Sequence, residues 1–188
     1  MNPVEIHTQR LLLKGFTPED MYEVFTTMTK TQIMSLLGHS SEEEYRKEEV
    51  KFKLGYASYN RRFVLFLLIE NSTKNIVGRC GLHNWNKEHF RAEIGYSMEV
   101  ESAKKQGYMS EAVEAILRYS FSDLHLHRVE AMVSPTNVPS LRILQKFGFI
   151  QEGRLREHFK IGEHFEDSLF FSLLAVEYFK GPVHSRTN

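Results

Sequence analysis

Seven short runs along the chain are apolar or alternate apolar with polar positions at strand length, and four longer stretches repeat apolar residues near the helical period. Arg10 to Phe16 (RLLLKGF) is the first expected strand. Thr17-Pro18-Glu19-Asp20 then reads as a helix start, with a capping hydroxyl, proline at the first helical position and acids in the first turn. A second helix is expected after Ser40-Ser41, where three glutamates suit the positive end of the helix dipole. RRFVLFLLIE, IVGRCGLHNW and FRAEIGYSM follow as three strands separated by the turn-rich NSTKN and NKEH, an antiparallel meander. MSEAVEAILRYSFSDL places Val113, Ile116, Leu117 and Phe121 near helical spacing. HRVEAMVS is a further strand, SLRILQKFG a helix ending at Gly148, and GRLREHFK and FEDSLFFSLL a final pair of strands around IGEH. Strands and helices intermix, so the fold class is α/β or α+β with a mixed sheet.

The chain of 188 residues is long enough for one domain with a buried core, expected over 1–180, with a polar tail at 181–188. Lys plus Arg and Asp plus Glu balance at 24 each, which argues against general binding to nucleic acid or membrane. Any anion site must therefore be local. Cys80 has no second cysteine to pair with, and its flanks IVGRCGL make it a small buried hydrophobe. MNPVEIHTQR lacks the apolar core of a signal peptide and no run approaches a membrane span, so the cytoplasm is the expected compartment. His83, His89, His125, His127, His158 and His164 come without HExxH, CxxC or an acidic loop, so no metal is expected.

The candidate chemistry begins at Lys104 to Val113, KKQGYMSEAV, where basic residues and a glycine stand directly before a helix. Gly107 allows close backbone approach, and the first N–H groups of a helix lack internal partners, so the stretch can cradle a phosphate or pyrophosphate. Read alone it is more often an ordinary turn, since neither GxxxxGK[ST] nor GxGxxG is present. Asn137 and Ser140, likewise, can simply cap and enter a helix after Pro135.

TQRLLLKGFTPED, AEIGYSM, KKQGYM and NVPSLRILQKFGFIQEG, in this order and spacing, resemble the GNAT superfamily of acetyl-CoA-dependent N-acetyltransferases, and within it the RimJ/RimL-like branch that acts on ribosomal-protein N-termini. The resemblance runs from about Thr8 to Leu174. It implies a mixed, mostly antiparallel sheet of about seven strands, splayed in the middle, with helices on both faces. It further implies that Lys104, Lys105, Gln106, Gly107, Tyr108, Met109 and Ser110 bind the pyrophosphate of coenzyme A. Backbone groups around Ser97, Met98 and Val100, together with Asn137 and Ser140, would meet the pantetheine arm. Lys104 and Met109 depart from the family's Gln/Arg-x-x-Gly-x-Gly/Ala pattern.

Where many of the family place a tyrosine that protonates the departing thiolate, this chain has Leu144, which leaves Ser140 as the catalytic candidate for that task. Glu93 aligns with the family's strand glutamate, either as general base or as a structural ion-pair partner. His83, Glu157, His158 and Asp167 are further candidates near the acceptor. The implied reaction is transfer of acetyl to a primary amine by direct attack in a ternary complex, with a protein N-terminus as one acceptor. A small amine such as a polyamine, an aminoglycoside or an amino acid is the alternative acceptor, and a non-catalytic acyl-CoA-binding module the alternative class. The family also implies a homodimer.

Overall fold

Eight strands and six α-helices form within residues 3–55 and 62–181, the part of the chain that the computed structural model describes. The strands are β1 (Val4–His7), β2 (Leu11–Phe16), β3 (Arg62–Glu70), β4 (Ile76–Asn86), β5 (Arg91–Met98), β6 (Arg128–Val133), β7 (Ile150–Ile161) and β8 (His164–Leu174). The helices are α1 (Pro18–Thr27), α2 (Lys30–Leu37), α3 (Glu42–Lys53), α4 (Tyr108–Arg118), α5 (Val138–Lys146) and α6 (Ala175–Lys180). Hydrogen bonding orders the strands β1-β2-β3-β4-β5-β6-β8-β7. β5 and β6 pair parallel, while β1–β2, β2–β3, β3–β4, β6–β8 and β7–β8 pair antiparallel. The α/β class and the mixed sheet are as expected, with one strand more than the sequence indicated.

That extra strand, β1, has only four residues with half of its positions facing out, too short for an alternation to register. α2 was also unexpected, although its signal is present. Thr29 and Gln32 form a reciprocal capping box ahead of IMSLL, with Gln32 N–H donating to Thr29 Oγ1 and Thr29 N–H to Gln32 Oε1. α1 starts where Thr17-Pro18 predicts: Asp20 N–H donates to Thr17 Oγ1 and Thr17 N–H returns a bond to Asp20 Oδ2 at 3.0 Å. α3 is capped by Ser41, as expected, and opens on Glu42, Glu43 and Glu44. The expected helix at 109–124 is α-helical to Arg118 and closes in a π-turn over Tyr119–Asp123. Of the tail at 181–188, only Gly181 lies among the described residues.

Internal contacts divide the chain into two units, Met1–Asn86 with Gly95–Ile116, and Lys87–Ile94 with Leu117–Asn188. In the first, Phe16, Met21, Val24, Ile33, Leu37 and Leu67 form a core between α1, α2 and the strands. Each side chain buried there contributes about 1.5–3 kcal/mol. In the second, β6 pairs along its length with β8, from Arg128↔Leu174 to Val133↔Leu169, and β8 continues onto β7. Parallel pairing of β5 with β6 covers Arg91↔Arg128, Ala92↔Val129 and Glu93↔Glu130.

Candidate active site

The phosphate-binding candidates belong to the first unit. Lys104 ends a 3₁₀ turn begun at Val100, Lys105 and Gly107 both have positive φ (60° and 85°), and α4 starts at Tyr108. Two left-handed residues within three positions turn the chain sharply into the helix, which is why a glycine is needed at the second of them. Lys104 pairs with Glu101 and the Gln106 side chain donates to Ser102 O at 2.6 Å, so both brace the loop from the preceding turn. Met109, the bulky departure, is only 8% exposed, so its side chain offers little surface at the mouth of the loop. Ser110 is half-buried in the first turn of α4.

Support for the loop comes from residues to which sequence reasoning gave no role. Arg10, just before β2, donates from Nη1 to Gln106 O (2.9 Å) and from Nε to Glu111 Oε2 (2.7 Å), and lies over the Tyr108 ring at 4.5 Å. Glu111 also accepts from Thr8 Oγ1 (2.7 Å) and from the Arg10 N–H (2.8 Å). Burial pushes the Glu111 carboxyl up, but the bonds from Thr8 and Arg10 outweigh it and hold the group below the usual carboxylate range. Tyr108 donates its hydroxyl to Glu70, a bond that raises the phenol. Thr73 Oγ1 and then Tyr108 keep the Glu70 carboxyl low. TQR at Thr8 to Arg10 was the only trace of this network in the sequence.

Ser97 and Met98, on the second half of β5, lie directly over β4. A Cβ at Gly78 would come within 2.6 Å of Ser97 O, so that glycine permits the approach. Both backbone groups of Val100 are engaged within the fold, its N–H on Val77 O and its carbonyl from Ala103 N–H.

A cavity of about 610 Å³ opens in the same unit, between α3 and the strands β3, β4 and β5. Phe63, Leu65 and Leu82 give it apolar walls, and His83, whose ring sits beside Gly95, stands at its edge with Tyr96 and Ser97. Glu48 is the carboxylate of its described lining, 6% exposed and paired with Lys51 at 2.8 Å. Arg79 is committed to Glu99 and to Leu37 O. Cys80 also borders the cavity, yet it is 1% exposed and burial pushes its thiol up, so it is no nucleophile near neutral pH.

The remaining candidates belong to the second unit. Asn137 caps α5, its Oδ1 accepting from Ser140 N–H at 3.2 Å, so the capping reading holds whatever else these residues do. Ser140 is half-buried in the first turn of that helix. Leu144, one turn on, is 1% exposed and belongs to the core.

Glu93 is 8% exposed and sits opposite Glu130 in the parallel ladder. Alternation puts Arg91 and Arg128 on the same face as these two carboxylates. Arg91 Nη1 and Arg128 Nε both donate to Glu130, at 2.8 and 2.9 Å, and Arg128 reaches on to Glu152. Glu152, bonded first by Arg128 and then by Ser172, has its carboxyl lowered to about 2. Glu93 therefore stands buried beside a cluster of paired charges on the same face of the ladder.

Glu157, His158 and Asp167 are brought together at the bulge of β7, where Glu157 has φ 51°. Glu157 N–H and Arg154 hold Asp167, lowering its carboxyl, and His158 Nδ1 lies 3.0 Å from Ser168 Oγ. A carboxylate stabilised in this way is a poor proton acceptor at neutral pH.

An α/β chain whose sheet leads through a glycine loop into a helix start suits the binding of a phosphate-bearing ligand. Comparison with known proteins makes that specific. Residues 10–150 match the model of the Acetyltransferase (GNAT) domain. An uncharacterized N-acetyltransferase, p20, of Bacillus licheniformis is 31% identical over 92% of this chain and 97% of its own. The spermidine N(1)-acetyltransferase of Vibrio cholerae is 27% identical over 90% and 95%. A solved GNAT-family acetyltransferase from Bacillus anthracis superposes with a TM-score of 0.65 at 27% identity, over 93% of this chain and all (100%) of that one.

The chain belongs to the GNAT acetyltransferase family. Within it, this protein is an N-acetyltransferase, and acetyl-CoA is the donor that GNAT enzymes use.

Proposed function

We propose that the protein acetylates an α-amine carried next to apolar groups, as at a protein N-terminus, and that it stands with the RimJ/RimL-like branch. The observation that carries this is the cavity of the first unit: apolar walls, and a described carboxylate, Glu48, already neutralised by Lys51. A polyamine brings several ammonium groups and needs uncompensated carboxylates to meet them. A single amine on an apolar body does not. The polyamine remains the second reading, because the spermidine N(1)-acetyltransferase of Vibrio cholerae matches over 90% of the chain.

The chemistry asks little of a base if the acceptor is an α-amine. With a pKa of about 7.8 such an amine is roughly one-seventh neutral at pH 7, whereas a lysine near 10.4 is neutral in about one molecule in two thousand. The neutral nitrogen attacks the thioester carbonyl, the N–C bond forms, the C–S bond breaks, and the amine's proton leaves to Glu93 or to water. In this proposal the loop from Lys104 to Ser110, with Ser97 and Met98, holds the coenzyme, while Val100 is left to the fold by its bonds to Val77 and Ala103. The Ser140 hydroxyl is the proposed hydrogen-bond donor to the departing sulfur. Gly107 at φ 85° before α4 is the feature that fits the coenzyme's pyrophosphate.

Turnover of acetyl-CoA against a pooled set of amines tests the reading. Peptides with free N-termini and apolar first residues should be acetylated at rates well above spermidine, aminoglycosides or free amino acids. The reverse ranking would transfer the assignment to a small amine, and no turnover with any amine, despite coenzyme binding, would leave a binding module. In the same samples acetyl-CoA should raise the melting temperature, by about 2.7 kcal/mol of added stability at a hundredfold excess over Kd, and pantetheine much less.

Glu93→Gln separates a base from a structural carboxylate. The expected result is a loss in kcat/KM of no more than about tenfold near neutral pH that disappears at high pH, where the α-amine is already neutral. A rate unchanged over about pH 6 to 9, a range spanning the α-amine titration, would assign Glu93 to structure alone.

A further inference from the structure

We infer that Arg10 is a positioning residue of the coenzyme-binding loop: tied down by Glu111 and Tyr108, it orients the peptide between Gln106 and Gly107 so that its N–H faces the bound phosphate. The inference rests on the reading of Lys104 to Ser110 as a phosphate loop and adds the part that holds it in shape.

Three contacts give Arg10 a single place. Its Nε bonds Glu111 Oε2, its guanidinium covers the Tyr108 ring, and its Nη1 donates to Gln106 O at 2.9 Å. In a trans peptide the C=O and the following N–H point in opposite directions. A cation that holds the Gln106 carbonyl thereby turns the Gly107 N–H away from itself. Gly107, at positive φ and without a Cβ, leaves its side of that peptide with few steric constraints of its own, so an external tether has an orientation to set. Gly107 also packs closely enough that a Cβ there would lie 3.4 Å from Arg10 Nη2.

Glu111 makes the arginine necessary for a second reason. It lies in the first turn of α4, beside the place where an anion would sit, and a bare carboxylate there would oppose phosphate. Arg10 and Thr8 hold both of its oxygens, with Arg10 N–H and Thr8 Oγ1 on Oε1 and Arg10 Nε on Oε2. The pair contributes no net charge to the loop. Its contribution is geometry.

Arg10→Lys keeps the charge near Glu111 but cannot span Glu111 and Gln106 with one planar fork. In the full-length protein, affinities for coenzyme A and for pantetheine, which lacks the phosphates, would be measured by calorimetry. Losing one charge-assisted bond should weaken coenzyme A binding by about ten- to a hundredfold. Pantetheine binding should stay within about twofold, a change small beside the worth of such a bond. Thr17→Val removes the side-chain cap of α1 and lies outside both the Glu111 network and the loop. It should lower the melting temperature and leave the ratio of the two affinities as in the wild type.

A lysine variant that keeps the wild-type ratio overturns the inference, as does a threonine variant that changes the ratio equally. If the lysine variant does not fold, Arg10→Gln is judged by the same ratio. A wild-type protein that binds pantetheine as tightly as coenzyme A overturns the loop assignment itself, a result distinguishable from failure of the arginine alone.

Discussion

Ser140→Ala should turn over acetyl-CoA about ten- to a thousandfold more slowly than the wild type, with binding of the coenzyme nearly unchanged. The hydroxyl is given the task of meeting negative charge as it develops on sulfur, and a bond made only at that moment lowers kcat without lowering affinity. Leu144 is the reason the effect should be large. At 1% exposure it belongs to the core and cannot be replaced by another donor through a rotamer change. Asn137 takes the Ser140 N–H through its side chain, so removing the Ser140 hydroxyl leaves the helix cap in place. The variant should therefore melt close to the wild type. Equal losses in kcat and in coenzyme affinity would instead make Ser140 a binding residue, and an unchanged rate would remove it from the chemistry.

Gly107→Val should fold and yet bind coenzyme A at least tenfold more weakly, a fall read directly by calorimetry. At φ 85° a residue with a Cβ already carries strain of about 1–3 kcal/mol, and a β-branched one is worse placed still. The position is exposed and sits in a loop, so that strain falls on the loop's shape more than on the core. The nearest heavy atom to an added Cβ is Arg10 Nη2 at 3.4 Å, the flexible end of a side chain that also holds Gln106 O. Valine there would disturb the peptide orientation and the close backbone approach together. A variant that melts normally and binds coenzyme A like the wild type would show that the phosphates bind elsewhere.

Much of the local architecture was legible because its causes are local. Thr17 with Asp20, Ser41 with Glu44 and Asn137 with Ser140 are caps made between residues three apart, and each helix begins where its cap stands. The strands with a clean run of apolar or alternating positions, β2 to β8, were visible for the same reason. β1 escaped because four residues carry no period, and α2 and α6, with eight and six residues, because so few turns define no apolar face.

The site divides along the same line. By itself the sequence determined an α/β chain and a glycine-led helix start that can take phosphate, since both depend on residue type at a given position. Only the tertiary structure decided what surrounds them. It buried Met109, turned Glu48 into the cavity wall at 6% exposure, placed Glu93 opposite Glu130, and brought Arg10 onto Glu111 across 101 positions of sequence. Hydrogen bonds and ion pairs of that separation leave no periodic trace, because their geometry is set by how strands and helices pack and not by the spacing of the residues that make them.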